Sequence, residues 1–572
     1  MPDYLLTRLR SKSTVSVKDQ LLQYSRHSRE LNSRTMSSVS AYLEGLIDEC
    51  GGLSTFQLIL FTIVMVTKLS ATWSMLMMAF GGAVPGWECV YEVSNIYTNQ
   101  SVSMNISTND ANFFNSSYQQ CHPPENATAD KCIEFRFEAN MNTVVNEWAL
   151  VCDKDSLTST ITTVQMAGLL ISGVVSGHMA DIIGRKPTFF ISLLIMTIFN
   201  VLAGFSVSWE MFAILRFFLG FGIGCYLTVF YNFLIEFSPA KRRAIVTAVP
   251  AWGFWACVFG FVSMWLHDWK YLHFATAILT FPWMFCWWII PESFRYLVSH
   301  NRIEEAEDVI RRMARMNGRP VPDLKRLRFL TEEDMKTDDK KYTIKDLVFH
   351  RTLLKQTCLL GVGWLSCGYG YYSISFAVQS LSGNLYLNMF LLSAVEVPAQ
   401  IITFFLANRF GRQKTAFALL LIGGLSGVVV AAVEISDLDE KDQLMNAFAL
   451  TAKLCVASGW SALMLLTTET YPTVVRNIGF GLNNSISRVG AMIAPKIIYL
   501  NKHTPGLMYF LFGGLLVTSA CCTLFLVETK GKHMEDLIKT DEDNGKTAKD
   551  HEIPSIDKIV SDNIISENKH KL

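Results

Sequence analysis

The sequence predicts an all-α membrane protein in which twelve transmembrane helices form two pseudo-symmetric six-helix halves. The chain has 572 residues, of which 50% are hydrophobic and only 17% are charged, whereas soluble domains hold about 25% charged residues. Its hydrophobic residues lie in runs of about 20, the length that crosses the hydrocarbon core of a bilayer. Three motifs also recur in the same order along the chain, which indicates an internal duplication.

Twelve apolar runs define the predicted spans. Backbone amides have no partner in lipid, and the runs are too long for barrel strands, so each run is expected to be a helix. The runs lie at 56–80, 160–180, 188–207, 211–235, 243–265, 271–291, 353–378, 384–407, 415–434, 445–468, 477–500 and 506–527.

The loops between the runs predict the domain organisation and the orientation. Short basic loops follow runs two, four and eight, and the positive-inside rule therefore places both termini in the cytoplasm of a multi-pass plasma-membrane protein. The predicted parts are a tail over 1–55, a first half over 56–291, a cytoplasmic linker over 292–352, a second half over 353–527 and a tail over 528–572. Within the linker, Ile303 to Met316 predicts an amphipathic helix that begins at Asn301, with Glu304 in a capping box, and ends at Gly318.

The loop 81–159 is predicted to be a glycosylated and disulfide-bonded extracellular domain. It combines clustered acceptor sequences for N-glycosylation with an even number of cysteines. The acceptor residues are Asn99, Asn105, Asn115 and Asn126, and the cysteines are Cys89, Cys121, Cys132 and Cys152. Four cysteines allow three pairings, and the sequence does not choose among them.

Three repeated motifs identify the two halves. They recur at offsets of 227, 233 and 236 residues. Such a duplication predicts a substrate site between the halves at mid-membrane and alternating access to it. The motif pairs are ADIIGRK at 180–186 with ANRFGRQ at 407–413, ExxPxxxR at 236–243 with the same pattern at 469–476, and PES at 291–293 with VET at 527–529.

The repeated charges predict a cytoplasmic gate. Gly184 permits a tight turn between helices. Asp181 is placed to pair with Arg185 or with an arginine of a neighbouring helix. Glu236 is placed to form a similar network with Arg243. The alternative is that these charges only anchor helix ends at the lipid headgroups. The residues assigned to gating are Asp181, Gly184, Arg185, Arg216, Glu236, Arg243, Glu469 and Arg476.

Several motifs resemble a known family. GHMADIIGRK at 177–186 is similar to the loop motif of the major facilitator superfamily. NEWALVCDKD at 146–155, PESFRYLVS at 291–299, SGNLYL at 382–387 and TETYPTVVRNIGF at 468–480 resemble the polyspecific organic ion transporters, which comprise organic cation, carnitine and organic anion carriers. The resemblance covers about residues 50 to 535. Asn408 departs from it, because the second-half loop of the family usually has an acid there.

Ionisable residues inside the spans are candidates for substrate binding, because a charge in lipid is costly. Glu396 and Arg488 interrupt runs eight and eleven, and Lys68 and Lys453 interrupt runs one and ten. Trp364 and Tyr371 lie seven residues apart and so share a helix face, next to Tyr372. Aromatic faces attract a desolvated cation, for which a carboxylate supplies the counter-charge. Tyr226, Trp252 and Trp255 add aromatic surface in the first half.

The resemblance implies roles for some of these residues. Trp364, Tyr371 and Glu396 fall where organic cation carriers have substrate-contacting residues, and Tyr226 falls at another aromatic position of that pocket. Arg488 stands where cation carriers have an aspartate but anion and carnitine carriers have an arginine. Gln400 stands near a lysine of several anion carriers. The expected substrate-binding set is Trp364, Tyr371, Glu396, Arg488, Tyr226, Trp252 and Gln400. Alternatively, Glu396 is a structural partner of Arg488 or Lys453, and Trp364 is an interfacial anchor.

This mixed set of charges predicts a transporter of small organic cations or zwitterions such as carnitine, acting as a symporter or uniporter. The alternatives are an organic anion transporter and, less favoured, a sugar carrier. An enzyme is not expected, because the chain has no phosphate loop, metal-spaced cluster or nucleophile elbow. The expected partners are an organic ion, the lipid bilayer and a coupling ion. No cofactor is expected, and the balance of 50 basic and 50 acidic residues does not indicate a nucleic-acid partner.

Overall fold

The computed structural model describes residues 42–94, 101–104, 121, 134–239, 249–334, 344–472 and 475–530. Several residues of the sequence predictions lie outside these ranges. They are the four acceptor asparagines Asn99, Asn105, Asn115 and Asn126, together with Cys132 and Arg243.

Each predicted span of the first half coincides with a helix. The helices are α1 (Thr55–Gly81), α2 (Ser156–Ile183), α3 (Arg185–Gly204), α4 (Trp209–Glu236), α5 (Ala251–Leu266) and α6 (Trp269–Thr280). A 3₁₀-helix, Phe281–Trp288, continues α6 and replaces the last part of the predicted run 271–291. Pro282, which lies in its first turn, lacks the backbone N–H that an α-helix would use.

The second half repeats this arrangement. Its helices are α7 (Arg351–Phe376), α8 (Leu385–Ala394 and Glu396–Phe410), α9 (Arg412–Ile435), α10 (Lys441–Thr470), α11 (Arg476–Asn501) and α12 (Leu507–Leu524). The halves meet where α2 packs on α11 and where α5 packs on α8. A shift of six helices converts one of these contacts into the other, so the interface has the two-fold pseudo-symmetry expected of the duplication.

Not every helix is uniformly apolar. Within the described ranges, seven helices are long and apolar enough to cross a membrane alone, or eight if the bent pair Cys152–Gly173 and Val175–Ile183 is one span. Helices α7 and α11 are long but carry many polar residues, including Trp364, Tyr371 and Arg488. Polar residues in a span are expected on helices that line a substrate path.

The loop after α1 contains a small antiparallel sheet, which the sequence analysis did not predict. Its strands are β1 (Trp87–Ser94), β2 (Ser101–Met104) and β3 (Glu134–Phe137), in the order β2-β1-β3. A disulfide joins Cys121 to Cys152, and Cys89 is also disulfide-bonded. Below, the end of the helix bundle that carries this loop is called the loop end, and the opposite end is called the linker end.

The predicted linker helix is present as Ile303–Met316, but its predicted start is wrong. Asn301 has a left-handed φ of 57° and does not cap the helix. Arg302 is the capping residue, and its guanidinium pairs with Glu305 at 2.7 Å. The helix ends before Gly318, whose φ of 65° suits the left-handed turn that terminates many helices.

Candidate substrate site and gates

A buried ion pair lies at the centre of the interface between the halves. Lys453 Nζ on α10 is 2.9 Å from Glu396 Oε1 on α8, and the two side chains are only 2% and 7% exposed. Lys453 also donates to Ser375 Oγ at 2.6 Å, and the Tyr371 hydroxyl donates to Glu396 Oε1 at 2.7 Å. The Lys453 ammonium lies 3.3 Å from the centre of the Tyr371 ring. A carboxylate and an aromatic ring thus enclose an ammonium group of the protein itself.

The break in α8 positions this carboxylate. Glu396 is the first residue of the second α8 segment, and Pro398 removes a backbone N–H that a continuous helix would need. From the first half, Trp252 Nε1 donates to the Tyr371 hydroxyl at 2.6 Å. A Cβ added at Gly253 would lie 2.9 Å from Glu396 Cβ, so glycine allows α5 to pack against the acid. Both halves therefore contribute to the site.

A small cavity adjoins the ion pair. Its walls differ in polarity. The α1 and α5 side is apolar, with Leu76, Ala79, Ala256 and Phe259. The side formed by α7, α8 and α10 supplies Tyr371, Ser375, Ser393, Glu396 and Lys453.

An aromatic cluster continues from the cavity along α7. Trp364 is 1% exposed, and its Nε1 donates to Thr467 Oγ1 at 2.9 Å, so it is a core residue and not an interfacial anchor. The Trp460 ring lies 6.2 Å from Trp364 and 5.6 Å from Tyr371, between ring centres. Trp460 is not among the site residues predicted from the sequence, although its spacing of seven residues from Lys453 places both on one face of α10.

Arg488 lies beside this cluster and apart from Glu396. Its NH1 donates to the Tyr372 hydroxyl at 3.1 Å, and its NH2 donates to Asn484 Oδ1 at 3.4 Å. In the described part of the chain no carboxylate forms an ion pair with Arg488. Of the two partners that the sequence left open for Glu396, the structure therefore shows Lys453.

Three other predicted site residues lie at different depths. Tyr226 is fully buried and donates to the Val64 carbonyl at 2.8 Å, which places it behind the cavity wall. Gln400 accepts a hydrogen bond from Ser461 at 2.8 Å, one turn beyond Glu396. Lys68 lies 4.7 Å from the Phe230 ring and within electrostatic range of Glu396.

At the linker end of the first half, Arg185 joins two acidic residues. Its NH1 is 2.8 Å from Asp181 Oδ1, as predicted, and its Nε is 3.2 Å from Glu236 Oε1. Glu236 therefore pairs with Arg185, whereas Arg243, its partner in the sequence prediction, lies outside the described residues. Glu292 Oε1 accepts the backbone N–H groups of Arg185 and Lys186, both at 3.1 Å.

The second half repeats this cluster with one acid fewer. Arg412 Nε is 3.1 Å from Glu469, and Glu528 accepts the backbone N–H groups of Arg412 at 2.9 Å and Gln413 at 3.2 Å. Asn408 takes the place of Asp181 and provides no charge. Arg476 donates to the Tyr471 carbonyl at 3.4 Å.

The two turn glycines have the conformation that the repeat predicted. Gly184 and Gly411 have φ values of 106° and 105°, which favour glycine. A Cβ at either position would clash with the carboxylate that caps the next helix, Glu292 or Glu528.

The two capping carboxylates differ in their pKa. Burial raises the pKa of Glu292 above its ordinary value, although the N–H groups that it accepts lower it. Burial also raises the pKa of Glu528, but four backbone N–H groups outweigh it and leave that pKa below its ordinary value. The first-half carboxylate is therefore held in its ionised form less firmly than its counterpart in the second half.

Arg216 does not belong to the linker-end cluster, contrary to the prediction. It lies 20 residues before Glu236 on the same helix, which at 1.5 Å per residue is about 30 Å away. The side chain is fully buried near the loop end of α4.

Polar contacts join the two halves at the loop end. Lys502 Nζ is 2.7 Å from Asp155, Lys496 donates to Thr160 Oγ1 at 2.7 Å, and the Val84 N–H donates to Gln379 at 3.1 Å. The ion pairs of Arg185 and Arg412, in contrast, stay within one half. The conformation described is therefore one in which the halves are held together at the loop end.

We expect Arg185→Gln to lower transport turnover about tenfold, because it removes a partly buried ion pair with Glu236 and a more exposed one with Asp181, at about 1 kcal/mol or less each. The matched variant Arg412→Gln removes one pair and should lower turnover less. The measurement is the initial uptake rate per transporter, with membrane insertion checked by surface labelling. Normal turnover in both variants would mean that these charges only anchor helix ends.

Comparisons with known proteins agree with this architecture. Residues 74–539 match the family described as Sugar (and other) transporter. The chain is 34% identical to Organic cation/carnitine transporter 2 of Rattus norvegicus over 417 residues, which cover 71% of this chain and 72% of that protein. It is 30% identical to Organic anion transporter 3 of Homo sapiens over 435 residues, which cover 73% and 79% of the two chains.

A solved structure has the same fold. The xylose transporter XylE from E. coli in an inward-open conformation superimposes with a TM-score of 0.57 at 15% identity, over 84% of this chain and 99% of that one. At this identity the likeness concerns the fold alone, which is that of the major facilitator superfamily. The chain therefore belongs to the Sugar (and other) transporter family and is a membrane transporter of the group that includes organic cation, carnitine and organic anion transporters.

Proposed function

We propose that this protein carries small organic zwitterions, in which a quaternary ammonium or similar cation is joined to a carboxylate, by alternating access. The observation that carries the proposal is the pairing of Glu396 with Lys453 against the Tyr371 ring, close to the half-buried Arg488. One acid, two basic groups and an aromatic wall suit a ligand that bears both charges. Relatives named as organic cation/carnitine transporters support this substrate class.

Lys453 limits which cations can enter. Its ammonium lies 2.9 Å from Glu396 Oε1 and 3.3 Å from the centre of the Tyr371 ring. It therefore occupies the position beside a carboxylate and over a ring that a substrate ammonium would otherwise take. A simple cation must displace this internal ammonium or bind beside a like charge. A zwitterion offsets that repulsion, because its carboxylate can bind Arg488 or Lys453.

Organic anion transport is the second candidate function, and a charge count favours it. Lys453 and Glu396 line the cavity, Lys68 lies within electrostatic range of Glu396, and Arg488 bonds to Tyr372, whose ring contacts Tyr371. The described residues in and near the cavity thus include three basic side chains and one acidic side chain. This surplus of positive charge attracts carboxylates in a low-dielectric site. A relative named as an organic anion transporter supports the alternative.

We also propose that the loop end faces the cell exterior, with both termini in the cytoplasm and the protein in the plasma membrane. The four acceptor asparagines and the Cys121–Cys152 disulfide support this orientation, because disulfides persist in oxidising compartments. The basic residues at the linker end, such as Arg185 and Arg412, agree with the positive-inside rule. Whether a sodium or proton gradient drives the transport is tested in the experiment below.

Uptake into liposomes by the purified full-length protein tests the proposed function. Labelled carnitine, tetraethylammonium, para-aminohippurate and glucose are compared, each with and without an imposed sodium or proton gradient. We expect saturable uptake of carnitine at a higher kcat/KM than the other three. A higher value for para-aminohippurate would establish the second candidate, and saturable uptake of glucose alone would refute both.

A further inference from the structure

A second buried cation lies outside the cavity, near the loop end of the first half. Arg216 on α4 is fully buried. Its NH2 donates to Gln165 Oε1, but among the described residues its Nε and NH1 have no hydrogen-bond partner. Within the ranges that the structure covers, no carboxylate pairs with this guanidinium.

Two more buried side chains with unpartnered nitrogens surround the same aromatic ring. The Phe212 ring lies 5.7 Å from Arg216 Cζ, 5.1 Å from the Trp269 ring and 5.7 Å from the His273 ring, between centres. Trp269 and His273 are both fully buried. Trp269 Nε1 and His273 Nε2 likewise have no hydrogen-bond partner in the part of the chain that the structure describes.

The neighbouring polar groups are already engaged with each other. Asn200 Nδ2 donates to Ser74 Oγ at 2.9 Å, and Asn200 Oδ1 is 2.8 Å from His273 Nδ1. Gln165 Nε2 donates to the Ser74 carbonyl at 3.1 Å. This network orients the cluster across five helices but brings no negative charge to it.

An arginine side chain stays protonated in proteins and therefore remains charged in such a site. An uncompensated buried charge is strongly destabilising. A buried water could satisfy the free N–H groups but would not neutralise the charge. Only an anion does both.

We propose that Arg216, together with Trp269, binds one small inorganic anion of the halide class. A halide suits the site because its single charge matches one guanidinium and its size suits closely packed aromatic rings. The rings of Phe212 and Trp269 lie 5.4 Å from Trp148, which follows the short helix Val144–Glu147 of the outer loop. The anion site is therefore beneath the loop domain and separate from the substrate cavity.

Binding of radiolabelled chloride to the purified full-length protein, without organic substrate, tests this proposal independently of the proposed transport function. We expect saturable binding of one chloride per chain. Arg216→Gln should abolish it. Trp269→Phe keeps the ring but removes one donor, and it should weaken chloride affinity about fivefold to tenfold. Arg488→Gln removes the arginine of α11 and should leave chloride affinity unchanged.

Trp269→Phe keeps the test valid if Arg216→Gln does not fold. Absence of saturable chloride binding to the wild type would overturn the proposal and leave water as the partner of Arg216. Unchanged chloride affinity in Trp269→Phe would overturn the assigned donor set. Loss of binding in Arg488→Gln alone would place the anion in the substrate cavity and would also overturn the proposal.

Discussion

Arg488→Asp should lower carnitine uptake about tenfold to a hundredfold while tetraethylammonium uptake persists or rises. Arg488 is half-buried and, among the described residues, bonds to the neutral groups of Tyr372 and Asn484, so a substrate carboxylate would be its charged partner. A hydrogen bond to a charged group contributes about 1.5–3 kcal/mol, which corresponds to this range of affinities. The measurement is initial uptake normalised to transporter at the surface.

Arg488→Lys is the matched control. It keeps the positive charge but loses the planar fork that binds a carboxylate through two parallel hydrogen bonds. We expect it to retain part of the carnitine uptake. Equal losses of carnitine, tetraethylammonium and para-aminohippurate uptake in Arg488→Asp would show that the arginine has a structural role only.

Lys453→Met should have the second large effect, which is both a loss of protein stability and a change in substrate preference. It leaves Glu396 buried without its charged partner, and breaking a buried pair in this way costs about 3–5 kcal/mol. The thermal midpoint of the purified protein should therefore fall. Among the molecules that remain folded, the Lys453 ammonium no longer lies over the Tyr371 ring, and tetraethylammonium uptake should increase relative to carnitine uptake.

Two further variants control this prediction. The double variant Glu396→Gln/Lys453→Met removes both charges and should recover most of the lost thermal stability, which a double-mutant cycle quantifies. Glu396→Gln alone should weaken cation uptake more than anion uptake. Additive losses of stability in the double variant would mean that the two residues do not interact.

The sequence was sufficient to predict the repeated features, and also the charged residues that are rare inside spans because burying a charge in lipid costs free energy. Twelve apolar runs predicted the positions of the helices, because lipid allows few alternatives to a helix. The repeated GR motifs predicted the turns at Gly184 and Gly411. Glu396, Arg488, Lys68 and Lys453 were recognisable because a charge inside an apolar run is unusual.

Features that depend on the rotation and packing of helices were not predictable. The sequence left both Arg488 and Lys453 as partners for Glu396, since the choice depends on which faces of α8, α10 and α11 meet. Arg216 lies at the opposite end of α4 from Glu236. The length of the predicted helix already implies this separation, which excludes Arg216 from a linker-end gate. The loop sheet was not predicted because two of its strands, SVSM and EFRF, are only four residues long, which is at the lower limit for a recognisable alternation of apolar and polar residues.

A comparison of carnitine with carnitine methyl ester tests the proposed selectivity most directly. The ester keeps the quaternary ammonium but has no negative charge, so only the interaction with Arg488 and Lys453 differs. We predict that the kcat/KM of the wild-type protein for carnitine is at least about tenfold higher than its kcat/KM for the ester, because the ester loses one charge-assisted hydrogen bond. Arg488→Asp should remove this preference. Equal transport of the two compounds by the wild type would contradict recognition of a carboxylate in the cavity.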